Sequence, residues 1–177
     1  IHISSADPKV IYMGANVLFR SPDQGRTWQP MGGDLSAQID PNTLPMMGAP
    51  VPPTAPSRND GTSAYGAITS IGESRFDPRV VYAGANDGTV QITRDGGKTW
   101  TNLSSRFPGL PPRTYVSTVL PSAHAAGRVY ATFDGHYGDD YHPYVYASDD
   151  YGQTWRALAS GLPETSINRI REHPHNP

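Results

Sequence analysis

The chain has no cysteine, which excludes disulfides, thiolate metal sites and cysteine nucleophiles but leaves the redox compartment open. Lysine is almost as scarce: Lys9 and Lys98 are the only two, and the other positive charges are twelve scattered arginines. With a net charge of −2 over 177 residues, there is no basic stripe to attract a polyanion, and nucleic acid is not an expected partner. No apolar run approaches the roughly 20 residues of a membrane-spanning helix. No leader-like segment stands at Ile1, where the chain already reads as strand, as a mature or excised segment would.

Turn formers are what the chain has in quantity, with 18 Gly and 18 Pro beside three Trp and ten Tyr. The aromatics argue against disorder. The combination predicts many short strands joined by tight turns.

Self-similarity organises these strands. Three segments, Ser21–Trp28, Thr93–Trp100 and Ser148–Trp155, fit the pattern [S/T]-x-D-x-G-x-T-W. The fixed positions are Ser21, Asp23, Gly25, Thr27 and Trp28; Thr93, Asp95, Gly97, Thr99 and Trp100; and Ser148, Asp150, Gly152, Thr154 and Trp155. The context upstream repeats as well: Ala6–Asn16 aligns with Phe76–Asn86, both containing Asp-Pro and Tyr-x-Gly. A degenerate copy runs over 126–132, and a fourth begins at Ile167. In the second unit, strands are expected near Ala67–Ser74, Val80–Ala85, Thr89–Thr93 and Thr99–Leu103, where Val, Ile, Tyr and Thr dominate. Asp77-Pro78 and Asn86-Asp87-Gly88 supply the turns between them. The third turn is the repeated motif itself. Its Asp accepts turn N–H groups, its Gly permits positive φ, and its Trp is expected to bury a large ring between neighbouring sheets.

These residues resemble the Asp-box, or bacterial neuraminidase repeat, of sialidases, sortilin-like receptors and xyloglucanase-type glycoside hydrolases. The resemblance covers nearly the whole chain outside the stretch from Gly32 to Tyr65, and is nearest to large bacterial proteins with a sortilin-like propeller. It implies an all-β fold, a β-propeller segment of four-stranded antiparallel blades, with about three blades plus one strand of a fourth. The blades fall near 1–32, 66–104 and 114–160, with a fourth starting at 166–177, its innermost strand at Ser166–Glu172, and a long interblade insertion at 33–65. Three blades and a strand do not close a ring. The expected partners are therefore the remaining blades of a larger propeller or another chain. A secreted or periplasmic location follows from the resemblance alone.

In such a blade the first and third turns share one face, while the second turns and the interblade connections share the other, where ligands bind in these families. Asp23, Asp95 and Asp150 thus read as hairpin glue, since a residue repeated in every blade cannot be one active site. The opposite face would carry the insertion, Asn86–Gly88, Ser104–Arg113, Asp134–Pro143 and Ser160–Thr165. Its prolines and Met46-Met47 suggest that the insertion is either an extended arm over a partner or neighbouring blade, or a spacer.

The richest polar cluster is Asp134–Pro143, where His136, Tyr137, Tyr141 and His142 are candidate ligand-binding residues. Rings that stack on a sugar beside carboxylates that accept its hydroxyls suit a glycan, and the same surface suits a peptide. Closely spaced oxygen ligands suit Ca²⁺ and a His–Asp pair suits Zn²⁺, yet the spacing matches no metal signature. No cofactor or metal site is therefore expected.

Two functional classes stand open, beside a purely architectural segment whose partners are the missing blades. One is a sortilin-like scaffold that binds a protein, peptide or glycan. The other is part of a secreted, xyloglucanase-type glycoside hydrolase. An enzyme of that class needs two carboxylates about 5 Å or about 6.5–9.5 Å apart. The candidates on the binding face are Asp60, Asp87, Asp134, Asp139 and Asp140. A sialidase is not expected: the Arg-Ile-Pro signature is absent, and Glu73, Glu164 and Glu172 fall in or beside innermost strands or interblade turns.

Overall fold

The computed structural model describes residues 1–46, 49–56, 58 and 65–175. Three four-stranded antiparallel sheets follow one another along the chain. Blade 1 is β1 (His2–Ile3), β2 (Ile11–Gly14), β3 (Leu18–Ser21) and β4 (Gln29–Pro30). A two-stranded hairpin, β5 (Pro45–Met46) and β6 (Ala49–Pro50), lies in the insertion. Blade 2 is β7 (Ile68–Glu73), β8 (Val81–Ala85), β9 (Val90–Thr93) and β10 (Thr101–Asn102). Blade 3 is β11 (Tyr115–Pro121), β12 (Val129–Asp134), β13 (Tyr144–Ser148) and β14 (Arg156–Ala157). The expected strands of blade 2 are present, each within two residues of its expected limits.

The three boxes have the same internal wiring. In the first, Ser21 Oγ donates to Asp23 Oδ1 (2.8 Å) and accepts the Gly25 N–H (2.7 Å), while Asp23 accepts the Thr27 N–H (2.8 Å) and hydroxyl (2.7 Å). Thr93, Asp95, Gly97 and Thr99 repeat this set, as do Ser148, Asp150, Gly152 and Thr154. The box glycines sit at φ 89°, 92° and 84°, the left-handed region where a side chain is strained. Each box also donates a hydrogen bond to the first turn of its blade: Gln24 N to Lys9 O, Gly96 N to Arg79 O and Tyr151 N to Gly127 O. Box turns and first turns therefore share one face.

Two apolar seams join the blades. Val10, Tyr12, Leu18, Met31 and Leu35 pack on Val81 and Ala83 between blades 1 and 2. Val80, Tyr82, Val90, Ile92 and Leu103 pack on Val129, Ala131, Phe133, Tyr146 and Trp155 between blades 2 and 3. Opposite faces of β8 thus serve the two seams, as strand alternation requires. Among the described residues nothing of this kind covers the outer face of blade 1, and Ile3 is 60 % exposed there.

The box tryptophans do not all bury as expected. Trp155 is buried at 8 % exposure, against Phe107 with ring centroids 4.4 Å apart. Trp100 is half-buried and donates from Nε1 to Met31 O of blade 1. Trp28 is half-buried and bonds only within its own turn, to Gly25 O. Trp100 and Trp155 pack back towards the preceding blade, and Trp28 has no such blade among the described residues.

A carboxylate joins blades at two places. Glu73, at the end of β7, accepts from Ser4 Oγ (2.9 and 2.8 Å), Ser5 N (2.8 Å) and Tyr12 Oη (2.8 Å) of blade 1. Glu172 accepts from Ser122 Oγ and Ala123 N of blade 3, each at 2.6 Å. Pro121 holds the corresponding place in β11 and packs on Gly72, where a Cβ would lie 2.5 Å from its Cδ. The expected innermost strand Ser166–Glu172 is not formed as a strand. The segment lies alongside β11 through Ser117 Oγ to Ile167 O and Thr118 Oγ1 to Asn168 O, but no antiparallel partner of its own satisfies a ladder among the described residues. The Asn176-Pro177 turn expected after it lies outside the described residues.

Candidate functional site

The face opposite the boxes carries the second turns and the connections between blades, and two cavities on it open at seams. The larger, of about 730 Å³, lies over the seam of blades 2 and 3. The 2–3 turn of blade 2 supplies Asn86, the connection into blade 3 supplies Pro111, Pro112, Arg113 and Thr114, and the start of β11 supplies Tyr115. The loop between β12 and β13 contributes Asp134, Tyr137 and Asp140. The insertion closes the opposite side with Leu44, Pro45 and Tyr65.

Both ends of the insertion are tied to blade 2, as an arm over a neighbouring blade would be. Leu35 is buried in the seam of blades 1 and 2, and its carbonyl accepts from Gln91 Nε2 of blade 2 at 3.1 Å. Ala37 N donates to Asp87 Oδ2 at 2.7 Å. At its far end, Gly66 N and Ala67 N both donate to Asn86 Oδ1. Gly66 takes φ 95° against Ser36, and a Cβ there would lie 2.7 Å from the Ser36 Cβ. These ties fix the backbone beside Tyr65. Met47 lies outside the described residues.

The five candidate carboxylates separate. Asp60 lies outside the described residues. Asp87 is buried beneath the arm, its oxygens taken by Ala37 N and Thr89 N, so it holds the arm down. Asp134 and Asp140 reach the cavity wall. Asp139 ends the His136–Gly138 turn in the left-handed conformation, φ 60°, and is exposed outside the lining. Of the candidate ligand residues, Tyr137 lines the cavity, 75 % exposed. His136, Tyr141 and His142 are exposed on the same loop but outside the lining.

The two wall carboxylates are already engaged. Burial pushes Asp134 up, but the His136 N–H at 3.0 Å, with the Ser166 hydroxyl and the His136 ring, more than offsets it and holds it below its ordinary value. The His136 Nδ1 lies 2.7 Å from Asp134 Oδ1. Asp140 is held low by the His142 N–H and the Tyr144 hydroxyl (2.7 Å). Burial, with Asp140 as second cause, pushes Tyr144 up to about 12. Both carboxylates are therefore ionised at neutral pH, and neither suits the role of a general acid, which needs a raised value. Among the described residues, no group of three or more His, Asp and Glu is arranged to hold a metal ion.

Tyr65, Arg113 and Tyr115 were not legible as wall residues. Pro-Pro-Arg at 111–113 shares the lining with Pro45 of the insertion, a pairing of residues more than sixty positions apart. Tyr115 shows no signal beyond its place at the start of an innermost strand; its ring lies 5.6 Å from that of Tyr137.

The family model described as "BNR/Asp-box repeat" matches residues 91–102, the second box with its flanking strands. No protein with a curated description matches the sequence. Among solved structures, the chain is similar to YCF48 bound to D1 peptide (TM-score 0.55, 18 % identity), covering 97 % of this chain and 44 % of that one. It is also similar to an ancestral GH74 enzyme (TM-score 0.59, 13 % identity, 92 % of this chain and 18 % of that). The GH74 enzyme of Niastella koreensis gives TM-score 0.54 at 15 % identity, over 90 % of this chain and 21 % of that. The chain spans less than half the length of each. The second of the three boxes thus matches the BNR/Asp-box repeat, and the fold is that of a β-propeller built from four-stranded antiparallel blades.

Proposed function

We propose that the chain is a binding scaffold, sortilin-like in use, which captures a protein or peptide segment on the face opposite its boxes. One observation carries the reading: the cavity over the seam of blades 2 and 3 joins tyrosine rings and prolines to carboxylates that are ionised and already hydrogen-bonded. Such a wall offers apolar contact and acceptors, the needs of recognition. The peptide held by YCF48, a protein of similar fold, supports the reading. The hydrolase reading leans on the GH74 enzymes of similar fold but has no raised carboxyl at Asp134 or Asp140 to serve it. We further propose that other blades or another chain cover the outer face of blade 1, and that the protein works outside the cytoplasm, by its resemblance to secreted propellers.

The test is a binding screen of the chain against immobilised peptides and neutral oligosaccharides, repeated with Tyr137→Ala. Peptide capture is expected, with affinity lowered about tenfold in the variant, as for an aromatic hot spot, and no change in its melting midpoint. Cleavage of a polysaccharide, or oligosaccharide capture with no peptide bound, would overturn the proposal.

A further inference from the structure

The second cavity, of about 490 Å³, opens over the other seam, between blades 1 and 2. It stands to that seam as the larger cavity stands to its own. Asn16 lines one and Asn86 the other, and these are matching positions in the aligned repeats Ala6–Asn16 and Phe76–Asn86. Gly66 and Ala67 border the smaller cavity just before β7, as Thr114 and Tyr115 border the larger at β11. Tyr65 lines both. The two hollows are thus related by the blade repeat and meet at Tyr65, and the two residues that follow it, Gly66 and Ala67, are tied to Asn86.

Their charge is one-sided. Asp34 and Asp40 line the smaller cavity, Asp134 and Asp140 the larger, and Arg113 is the only cation among the described lining residues of either. Asp34 is held low by the Ser36 hydroxyl and by Asn16, and Asp40 by the Asn42 backbone and side chain. Outside the lining, Arg58 acts on Asp40 and the His136 ring lies against Asp134; four carboxylates in the concave walls still outnumber the two guanidinium groups, Arg113 and Arg58, and such walls focus the field and raise the local concentration of cations.

Resting on the reading of this face as a peptide-binding surface, we infer that the two cavities form one groove across Tyr65 that takes an extended polypeptide bearing basic side chains. An occupant confined to one hollow would leave the repeat-related hollow beside it unused, whereas a linear chain crosses Tyr65 and fills both. The field favours Lys and Arg side chains over neutral sugars, which gain nothing from it, and over acidic peptides, which it repels. Pro45, Pro111 and Pro112 present a wall with no N–H donors, suited to the apolar flank of such a peptide.

The experiment measures binding of three labelled peptides of equal length to the intact chain, one with spaced Lys and Arg, one uncharged and one acidic, beside a neutral oligosaccharide. The basic peptide is expected to bind about tenfold or more tighter than the uncharged one at low salt, and to lose most of that margin when salt rises from about 50 mM to about 500 mM. The double variant Asp34→Asn, Asp40→Asn keeps both turn acceptors and removes two charges. It should weaken the basic peptide several-fold and narrow its margin over the uncharged one. Tyr65→Ala should weaken both peptides. Peptides bound equally whatever their charge, with the double variant indifferent, would overturn the groove while leaving the peptide-binding reading intact. Capture of the oligosaccharide but of no peptide would overturn both.

Discussion

The seam between blades 1 and 2 and the seam between blades 2 and 3 are built from the same repeat positions with different chemistry. The first combines a modest apolar cluster with a buried carboxylate, Glu73, bonded to Ser4, Ser5 and Tyr12. The second has Pro121 where that carboxylate would stand and relies on rings instead. Phe107 lies edge-on to Phe133 at 4.7 Å and to Tyr146 at 5.3 Å, with Trp155 at 4.4 Å. Directional bonds fix the position of one blade against the next, whereas an aromatic cluster gains stability from buried area and edge-to-face contact. A repeat can thus conserve its fold while exchanging the physics of its joints.

The largest expected effect lies in the aromatic seam. Trp155→Ala should destabilise the chain by about 3–5 kcal/mol, the usual cost of truncating a buried aromatic. Denaturant unfolding measures it, and a loss below about 1 kcal/mol would remove the basis of the comparison. Glu73→Ala should cost about 1–3 kcal/mol, because it strands the buried Tyr12 hydroxyl and the Ser4 donor. If this loss matched or exceeded that of Trp155→Ala, the ranking of the seams would reverse.

The boxes set a pH dependence common to the blades. Asp95 and Asp150 titrate at about 2 in the fold, held down first by the hydroxyls of Thr99 and Thr154, against about 3.9 in an unfolded chain. Between these values the unfolded chain binds more protons, so stability rises with pH and is lost as pH falls from about 4 towards about 2. The variant Asp95→Asn, Asp150→Asn should unfold with a shallower acid slope. An unchanged slope would locate acid lability elsewhere. The smallest effect is expected at Trp28, which has no preceding blade to pack on among the described residues; Trp28→Ala should cost about 1 kcal/mol. A loss equal to that of Trp155→Ala would show that the preceding blade does not set the value of a box tryptophan.

What the sequence made legible was local. The box, its hydrogen bonds and the strands on either side follow from residues within eight positions of one another, and the sorting of turns between faces follows from strand alternation. What it hid was set by distant partners. Asp87 looked free in an Asn-Asp-Gly turn, yet Ala37, fifty residues earlier, occupies it. Glu73 and Glu172 read as strand residues because their serine partners lie 69 and 50 positions away. Identical box tryptophans predicted equal burial, but burial belongs to the neighbouring blade. The cavity walls were half legible: the Asp134–Pro143 loop stands out by its chemistry, whereas Tyr65 takes its place beside Gly66, whose N–H is held by Asn86, twenty positions away.

Pro121 makes the order of the blades matter. The carboxylate joint needs a Glu at the end of one innermost strand and a Ser at the first turn of the blade before it. Blade 2 carries both, Glu73 and Ser74, so a copy of blade 2 set behind itself could form the joint again. Blade 3 carries Ser122 but presents Pro121, so a copy behind itself would have no carboxylate to offer. Blades that look interchangeable in a repeat alignment are therefore keyed in sequence, and shuffling or duplicating them would preserve the boxes while changing which joints can form.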